Sequence, residues 1–225
     1  MTPRHLKSIV CLNSGPLLRK GPPEKAECLN TESLYHGYFC VNRYTLRQQT
    51  FGGGWSEPFT REVFERGHAV AILPYDPVSD RVVLIEQFRV GALIAGWRPW
   101  LIETAAGMIE PGETPEEVAR RETAEETGLA VGRLEFIAHS LCTPGGSSET
   151  LALYCAEVDA SQAPEYAGLA HENEDIRVFS MSAADAIGLL EAGSVNNAST
   201  LIVLQWLALN HARLRAAWQT GKDTR

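Results

Sequence analysis

The segment from Gly107 to Leu129 constrains the chain most, because it specifies a helix and then crowds that helix with acids. Thr114 followed by Glu117 predicts a capping box at the start of the helix, and Gly128 predicts a left-handed residue at its end. Residues three or four positions apart share one side of a helix. Three carboxylates have that spacing here: Glu122, Glu125 and Glu126.

This acidic stripe lies where the helix should be apolar, since Val118 belongs to the same stripe. Like charges at this spacing destabilise a bare helix by a few tenths of a kcal/mol per pair. A solvated acidic face would explain two isolated glutamates, but it does not explain the full pattern. A hard divalent cation that prefers oxygen ligands, such as Mg²⁺, would offset the repulsion. We therefore expect a metal site on this helix.

The pattern resembles the Nudix box, G-x5-E-x7-R-E-U-x-E-E-x-G-U, in which U is an aliphatic residue. The matching positions are Gly107, Glu113, Arg121, Glu122, Glu125, Glu126, Gly128 and Leu129. Thr123 is the one departure, and we expect it to be tolerated because threonine is small and only half polar. The resemblance implies an α/β/α sandwich and a metal-assisted attack of water on a diphosphate.

Strand-like runs surround the box. We expect strands over residues 33–49, 59–65, 69–73, 81–88, 100–106, 134–142, 151–158 and 176–181. A hairpin loop should lie at Gly52–Gly54, and Ser182 with Asp185 should cap a helix that ends at Glu191. A further helix should span 199–219. Mixed strands and separated helices predict an α/β fold, a mixed sheet covered by helices. We divide the chain into an irregular segment 1–30, a small N-terminal antiparallel sheet 31–66 and a Nudix domain 67–225.

Beyond the box, the chain is similar to the bacterial ADP-ribose pyrophosphatases within this family, from about Leu34 to Trp218. The similar stretches are residues 61–68, 84–89, 105–108, 144–149 and 172–175 and the region 196–206. Residues 1–30 do not contribute to this similarity. The resemblance implies hydrolysis of ADP-ribose to AMP and ribose 5-phosphate with two or three Mg²⁺ ions per site, or with Mn²⁺ instead.

The same resemblance assigns the metal ligands and the catalytic groups. The metal positions are the backbone carbonyl of Ala106, the catalytic carboxylates of Glu122 and Glu126, Glu125 as outer support, and Glu174 as a further contact. The general base falls on Glu172, with another loop carboxylate as the alternative. Glu113 and Arg121 should pair and hold the loop of the box on its helix.

Substrate contacts follow in the same way. Arg89 matches the residue that binds the diphosphate, and Arg suits phosphate oxygens because it donates two parallel hydrogen bonds. Positions that match the terminal ribose and its surroundings are Met108, Thr143, Pro144, Gly145 and Glu149. Positions that match the adenosine end are Tyr38, Phe39, Arg61, Glu62 and Arg66. In the similar enzymes a partner subunit completes the adenosine groove, so we expect a homodimer that exchanges its N-terminal sheets.

Net charge and cysteine content limit the classes of binding partner and of structural site that the chain could have. The formal net charge of −8 argues against a nucleic-acid-binding surface. Five cysteines, an odd number without CxxC spacing, argue against a disulfide framework or a zinc site. No apolar run approaches the ~18–20 residues that cross a bilayer, and the N-terminus does not have the pattern of a secretory signal. We expect a cytoplasmic enzyme that acts on a small molecule, without membrane or nucleic-acid partners.

Two alternatives stay open. Another nucleoside diphosphate derivative could be the substrate, such as an ADP-sugar, GDP-mannose or a dinucleotide. A non-catalytic Nudix module that senses a nucleotide is the second alternative, but such modules should lose box glutamates, and this chain retains them.

Overall fold

The computed structural model describes residues 23–169 and 173–219, and these form two compact units. The first unit consists of residues 23–66 together with Leu141–Glu149, and the second of Gly67–Ser140 with residues 150–169 and 173–219. The loop 141–149 was predicted to belong to the domain 67–225, but it packs with the N-terminal sheet. Hydrogen bonds explain this placement, because the amide of Phe64 donates to the carbonyl of Gly146 at 2.8 Å and Ser147 Oγ donates to the carbonyl of Phe64 at 3.0 Å.

The first unit is an antiparallel sheet in the order β1-β2-β3. Its strands are β1 (Ala26–His36), β2 (Cys40–Gln48) and β3 (Phe59–Glu65). The predicted hairpin loop is present between β2 and β3, where Gly53 and Gly54 have φ of 90° and 79°, values that glycine adopts without strain.

Two sequence expectations for this sheet were wrong. The run 33–49 is two strands, because the chain reverses at residues 37–39 and Gly37 leaves room there for the Tyr35 ring. Strand β1 also begins at Ala26, within the segment assigned as irregular, because Ala26 pairs with Gln48 at the start of a long ladder. Strand pairing supplies backbone partners that composition alone does not reveal. The remainder of that segment, residues 1–22, lies outside the described residues.

The second unit contains a mixed sheet, as predicted. Its strands are β4 (Ala69–Asp76), β5 (Arg81–Phe88), β6 (Trp100–Glu103), β7 (Ala105–Met108), β8 (Leu134–Leu141), β9 (Thr150–Glu157), β10 (Tyr166–Ala167) and β11 (Ile176–Ser182). The main order is β10-β11-β5-β4-β9-β8, with β6 paired to β5 and β7 paired to β4. Strands β4 and β9 are parallel, whereas β4 and β5 are antiparallel.

Helices cover both faces of this sheet. They are α1 (Val90–Ile94), α2 (Pro115–Thr127), α3 (Ala183–Glu191) and α4 (Ala198–Gln219), with one 3₁₀ turn at Ala160–Gln162. Side chains of a strand alternate between faces. Val70 and Ile72 of β4 therefore pack with Val118 of α2, whereas Leu73 of the same strand packs with Leu204 of α4. The result is the expected α/β/α sandwich.

One predicted strand is interrupted. Residues 100–106 form β6 and β7, which separate at Thr104 because its backbone and side chain have partners elsewhere. The amide of Thr104 donates to Thr200 Oγ1 at 2.9 Å, and its hydroxyl donates to the carbonyl of Ile72. The break moves the chain from β5 to β4, so that β7 leads into the loop before α2.

Among the described residues, no helix combines the length and the apolar character needed to cross a bilayer. The 22-residue helix α4 is instead tied to the sheet by polar contacts at the turn between β4 and β5. Asp80 in that turn has a positive φ of 57°. Its carboxylate accepts hydrogen bonds from Tyr75 Oη at 2.8 Å and from Arg215 Nη1 at 3.0 Å, and it lies 2.6 Å from His211 Nε2.

We predict that Asp80→Ala lowers the free energy of unfolding by ~2 kcal/mol, because the hydroxyl of buried Tyr75 loses its acceptor. Alanine also adopts a positive φ less readily than aspartate. Urea denaturation measures the change. Asp159→Ala is the control, because Asp159 caps only the short 3₁₀ turn and its loss should cost less, ~1 kcal/mol. Equal losses for the two variants would contradict this role of Asp80.

Candidate active site

Helix α2 begins and ends as its sequence predicts. Thr114 accepts from the amide of Glu117, whose carboxylate accepts from the amide of Thr114 in return, and Pro115 occupies the first turn. Gly128 ends the helix with φ of 69°, and a Cβ there would lie 2.9 Å from Pro164. The helix is thus fixed at both ends, and the position of its acidic stripe is set by local sequence.

The stripe packs against strand β7 itself. A Cβ on Gly107 would lie 1.8 Å from Glu122 Oε1, so only glycine leaves room for this carboxylate. Glu126 is buried, with 2% of its surface exposed, and its Oε2 accepts from the amide of Ala106 at 2.8 Å. The structure therefore brings three of the predicted metal positions together: Ala106, Glu122 and Glu126.

Burial disfavours the charged form of Glu122 and Glu126. Burial raises the pKa of Glu126 to about 8, against the hydrogen bond from Ala106 and with a further increase from the charge of Glu122. Burial also raises the pKa of Glu122, although Arg121 acts in the opposite direction. A nearby cation would stabilise both carboxylates in their charged form.

Arg121 makes more contacts than the predicted pair with Glu113. That pair is present, with Nε 2.9 Å from Glu113 Oε1, and its hydrogen bonds hold the pKa of Glu113 below its usual value. Arg121 Nη1 also lies 2.7 Å from Glu122 Oε1 and 2.9 Å from Glu125 Oε2, and Nη2 donates to the carbonyl of Met108 at 3.3 Å. Arg121 thus joins the loop of the box to the acidic stripe.

Thr123, the departure from the box, is fully buried. Its hydroxyl donates to the carbonyl of Ala119, one turn earlier, at 2.7 Å. The polar group is therefore satisfied inside the helix while the whole side chain is buried. This geometry explains how the fold accommodates threonine at an aliphatic position.

Arg89 follows directly after β5, within electrostatic reach of the same acids. Burial acts to lower the pKa of Arg89, but the charge of Glu103, and then the charges of Glu126 and Glu174, raise it. Arg89 forms an ion pair with Glu103, with Nη2 2.8 Å from Oε2. Glu103 is a residue that the sequence analysis missed, although an acid inside the apolar run 100–106 was a usable signal.

The loop before β11 brings one more predicted acid to the stripe. Glu174 Oε2 accepts from the amide of Leu169 at 3.3 Å, and the amide of nearby Gly168 donates to the carbonyl of Glu125 at 3.3 Å. The charge of Glu174 raises the pKa of both Glu122 and Glu126, which places it within electrostatic reach of them. The predicted base, Glu172, lies outside the described residues.

The donor set suits a hard divalent cation. Ala106 offers a backbone carbonyl and Glu122 and Glu126 offer carboxylates, all oxygen ligands of the kind that Mg²⁺ prefers. Within residues 23–169 and 173–219, no three acid, His or Cys side chains converge tightly enough to ligate one ion as they stand. Arg121 pairs with Glu122 and Glu125 instead.

The predicted adenosine positions all lie in the first unit. Tyr38 and Phe39 occupy the turn between β1 and β2, where Tyr38 is 92% exposed and Phe39 packs on Phe64, with ring centroids 4.9 Å apart. The guanidinium of Arg66 lies 5.7 Å from the centre of the Phe39 ring, and its Nη1 lies 3.4 Å from Glu149 Oε1. Phe39, Arg66 and Glu149 therefore form one cluster, with Tyr38 beside it.

Two other predicted adenosine positions, Arg61 and Glu62, lie on β3 and contact other side chains. The guanidinium of Arg61 stacks over the Phe59 ring at 4.9 Å, and Glu62 pairs with Arg43 Nη2 at 2.9 Å. The predicted ribose loop is a tight turn, because the amides of Gly146 and Ser147 both donate to the carbonyl of Thr143, at 3.0 and 2.9 Å. Pro144 and Gly145 form the tip of this turn.

Comparison with known proteins agrees with this geometry. The family model described as the NUDIX domain matches residues 65–202. The chain belongs to the Nudix family. The match includes the whole of α2, the loop before it and the sheet that holds both.

Individual Nudix relatives cover most of the chain. The ADP-ribose pyrophosphatase of Escherichia coli strain K12 is 48% identical over 192 residues, which are 85% of this chain and 92% of that protein. The ADP-ribose pyrophosphatase of Haemophilus influenzae is 41% identical over 86% of this chain and 90% of its own. The GDP-mannose pyrophosphatase of Cronobacter sakazakii is 36% identical over 80% of this chain and 96% of that protein. A crystal structure of an ADP compounds hydrolase superposes with a TM-score of 0.61 at 25% identity, over 84% of this chain and 97% of that one. The chain is a pyrophosphate-hydrolysing Nudix enzyme.

We predict that Gly107→Ala lowers kcat/KM for diphosphate hydrolysis ~10–100-fold, because the new Cβ displaces the Glu122 carboxylate. The fold should persist, since the atoms that must move belong to a side chain. Steady-state kinetics and thermal unfolding measure the two effects. Gly188→Ala on α3 is the matched control, because a Cβ there meets nothing within 4 Å. Unchanged turnover in Gly107→Ala would contradict the role of Glu122.

Proposed function

We propose that this Nudix enzyme hydrolyses the diphosphate of ADP-ribose to AMP and ribose 5-phosphate with Mg²⁺ as its metal. The observation that carries the proposal is the buried acidic stripe of α2 against Gly107, with Arg89 within electrostatic reach. The substrate comes from the relatives that carry the name ADP-ribose pyrophosphatase at 48% and 41% identity.

The metal positions follow from the same stripe. Ala106, Glu122 and Glu126 would hold two or three Mg²⁺ ions, or Mn²⁺, with Glu125 as outer support and Glu174 as a further contact. When bound, such ions acidify a water molecule and stabilise the charge of the diphosphate. Binding requires Glu122 to turn from Arg121, which retains Glu113 as its partner.

The chain supplies the proton acceptor and the diphosphate clamp. The water oxygen forms a bond to one phosphorus as the bond from that phosphorus to the bridging oxygen breaks. Glu172 accepts the proton of the water, because a carboxylate is basic enough once the water is acidified. Arg89 donates hydrogen bonds to the phosphate oxygens.

The ends of the substrate have separate positions. Met108 and the turn of Thr143, Pro144 and Gly145 contact the terminal ribose, together with Glu149. The adenine lies on aromatic surface at Tyr38 and Phe39, and Arg61, Glu62 and Arg66 complete its site. The cluster of Phe39, Arg66 and Glu149 supports this assignment, because an aromatic face and charged groups occur side by side.

GDP-mannose is the second candidate, since GDP-mannose pyrophosphatases are 36% identical to this chain. The same diphosphate chemistry would then act on a different base and sugar. The lower identity favours ADP-ribose. A non-catalytic module is disfavoured because the acids of the box are retained and the buried ones, Glu122 and Glu126, pack against β7.

Product analysis tests the substrate. Incubation with Mg²⁺ and a panel of ADP-ribose, ADP-glucose, GDP-mannose and a dinucleotide, resolved by chromatography, should give AMP and ribose 5-phosphate from ADP-ribose with the highest kcat/KM. A higher kcat/KM on GDP-mannose would replace the proposed substrate. No hydrolysis of any member would reject the enzyme assignment.

Two glutamine variants test the metal and base roles. We predict that Glu126→Gln lowers kcat at least ~10²-fold, because it removes a charge from the cation site. Glu172→Gln should lower kcat ~10²–10⁴-fold and leave ADP-ribose binding intact. A change of less than a few-fold in Glu172→Gln would move the base to another carboxylate, such as Glu174, while leaving the metal site in place.

We also propose a cytoplasmic homodimer in which each chain completes the other's site. A sheet of three strands lies at the lower limit of what is stable alone. The sheet and its turns expose large apolar side chains, including Leu29, Tyr35, Tyr38 and Phe51. A twofold partner is the commonest way to cover such a surface. The four described cysteines are free thiols, as suits a reducing compartment.

Mixing two inactive chains tests the shared site. Arg61→Ala and Glu126→Gln should each be poor alone. In a mixed dimer with shared sites, one site carries both changes and the other carries neither, so activity should return towards half of wild type per mixed dimer. No recovery after refolding the chains together, with mixed dimers verified by mass, would mean that each site belongs to one chain.

A further inference from the structure

Glu103 is an acid held inside an apolar strand of the sheet. It lies on β6 opposite Ile85 of β5, and its side chain is 10% exposed. One oxygen, Oε2, accepts hydrogen bonds from Arg89 Nε at 2.9 Å and from Gln87 Nε2 at 3.2 Å, and it forms an ion pair with Arg89 Nη2 at 2.8 Å. Gln87 is itself buried, so a second, fixed donor holds the same carboxylate oxygen in place.

The geometry of Arg89 leaves one part of its guanidinium open. A guanidinium has five N–H donors in a planar fork, and two neighbouring nitrogens form each edge. Glu103 engages the edge formed by Nε and Nη2. In the described part of the chain, Nη1 has no hydrogen-bond partner, and the side chain is 45% exposed. The edge formed by Nη1 and Nη2 therefore remains available for a bidentate contact to an anion.

Glu103 also gives Arg89 a partner other than the acids around the stripe. The charges of Glu126 and Glu174 act on Arg89, so an unrestrained guanidinium would be attracted to these acids. A salt bridge to Glu126 would block a carboxylate of the proposed metal site. The ion pair with Glu103 holds Arg89 at the end of β5 instead, which leaves Glu126 with the amide of Ala106.

We propose that Glu103 is a positioning residue that orients Arg89, so that the edge formed by Nη1 and Nη2 meets the substrate diphosphate. This inference rests on the proposed diphosphate contact of Arg89. Glu103 does not touch the substrate. Its contribution is to fix one rotamer of a long side chain before the substrate binds, which lowers the entropic cost of forming the contact.

A double-mutant cycle tests the proposal. Wild type, Glu103→Gln, Arg89→Ala and the double variant are compared by kcat/KM for ADP-ribose with Mg²⁺. We expect a ~100-fold loss in Arg89→Ala and a ~10-fold loss in Glu103→Gln, but less than ~2-fold further loss when Glu103→Gln is added to Arg89→Ala. The affinity for the α,β-methylene analogue of ADP-ribose, measured by calorimetry, should follow the same pattern without turnover.

Glu86→Gln is the matched control. Glu86 also lies on the sheet, its side chain is also 10% exposed, and it pairs with two arginines, Arg98 and Arg177. We expect this variant to keep wild-type kcat/KM with and without Arg89→Ala. Equal losses in Glu86→Gln and Glu103→Gln would mean that removing any buried acid of the sheet has the same effect, which would overturn the proposal. Should Glu103→Gln unfold, Glu103→Asp enters the same cycle.

Further outcomes separate this inference from the proposed function. If Glu103→Gln lowers kcat/KM by the same factor in the wild type and in Arg89→Ala, Glu103 acts independently of Arg89, and the positioning role is overturned. Wild-type activity in Arg89→Ala would overturn both the diphosphate contact and the positioning role. In either case, release of AMP and ribose 5-phosphate by the wild type would still support ADP-ribose as the substrate.

Discussion

The burial of Glu126 is the constraint on which the rest of the catalytic unit depends. A carboxylate that is 2% exposed needs donors, and the described structure supplies the amide of Ala106. That hydrogen bond places β7 directly against α2, where the Glu122 side chain occupies the space beside Gly107. The strand β7, the loop and the helix are therefore one arrangement around a buried charge. Burying such a charge without a cation lowers the free energy of unfolding. This arrangement is therefore better explained by function than by stability.

Strand β4 holds this arrangement in the middle of the sheet. It pairs with β7 at Ala71 and Ala106, and it pairs with β9 in parallel. Its alternating side chains divide between the core under α2 and the core under α4. A change at either face of β4 would move the carbonyl of Ala106 relative to the acids of α2. The precision of the site is thus a property of a fully buried strand and not of the loop alone.

Features encoded by near neighbours in sequence could be predicted, and features that depend on distant partners could not. The caps of α2, its acidic stripe and the pair of Glu113 and Arg121 follow from spacing within one segment. The break between β6 and β7 depends on Thr200, 96 residues away, and so it was not visible in a continuous apolar run. Glu103 was overlooked for the same reason, because its structural role depends on the ion pair with Arg89, which lies after another strand. The extent of β1 was missed because pairing with β2 overrides its polar composition.

The placement of the loop 141–149 has a consequence for the order in which the chain can fold. Ser147 bonds to Phe64 across 83 residues, so the N-terminal sheet has no complete set of partners when it leaves the ribosome. At usual synthesis rates, on the order of 10 s pass before the loop emerges. During that interval the acidic helix is already made and can form locally. Synthesis of the adenosine region therefore starts before helix α2 is made, and this region is completed only after α2. A nascent chain stalled before Ser147 would carry the acids of the box without the turn that completes the N-terminal sheet.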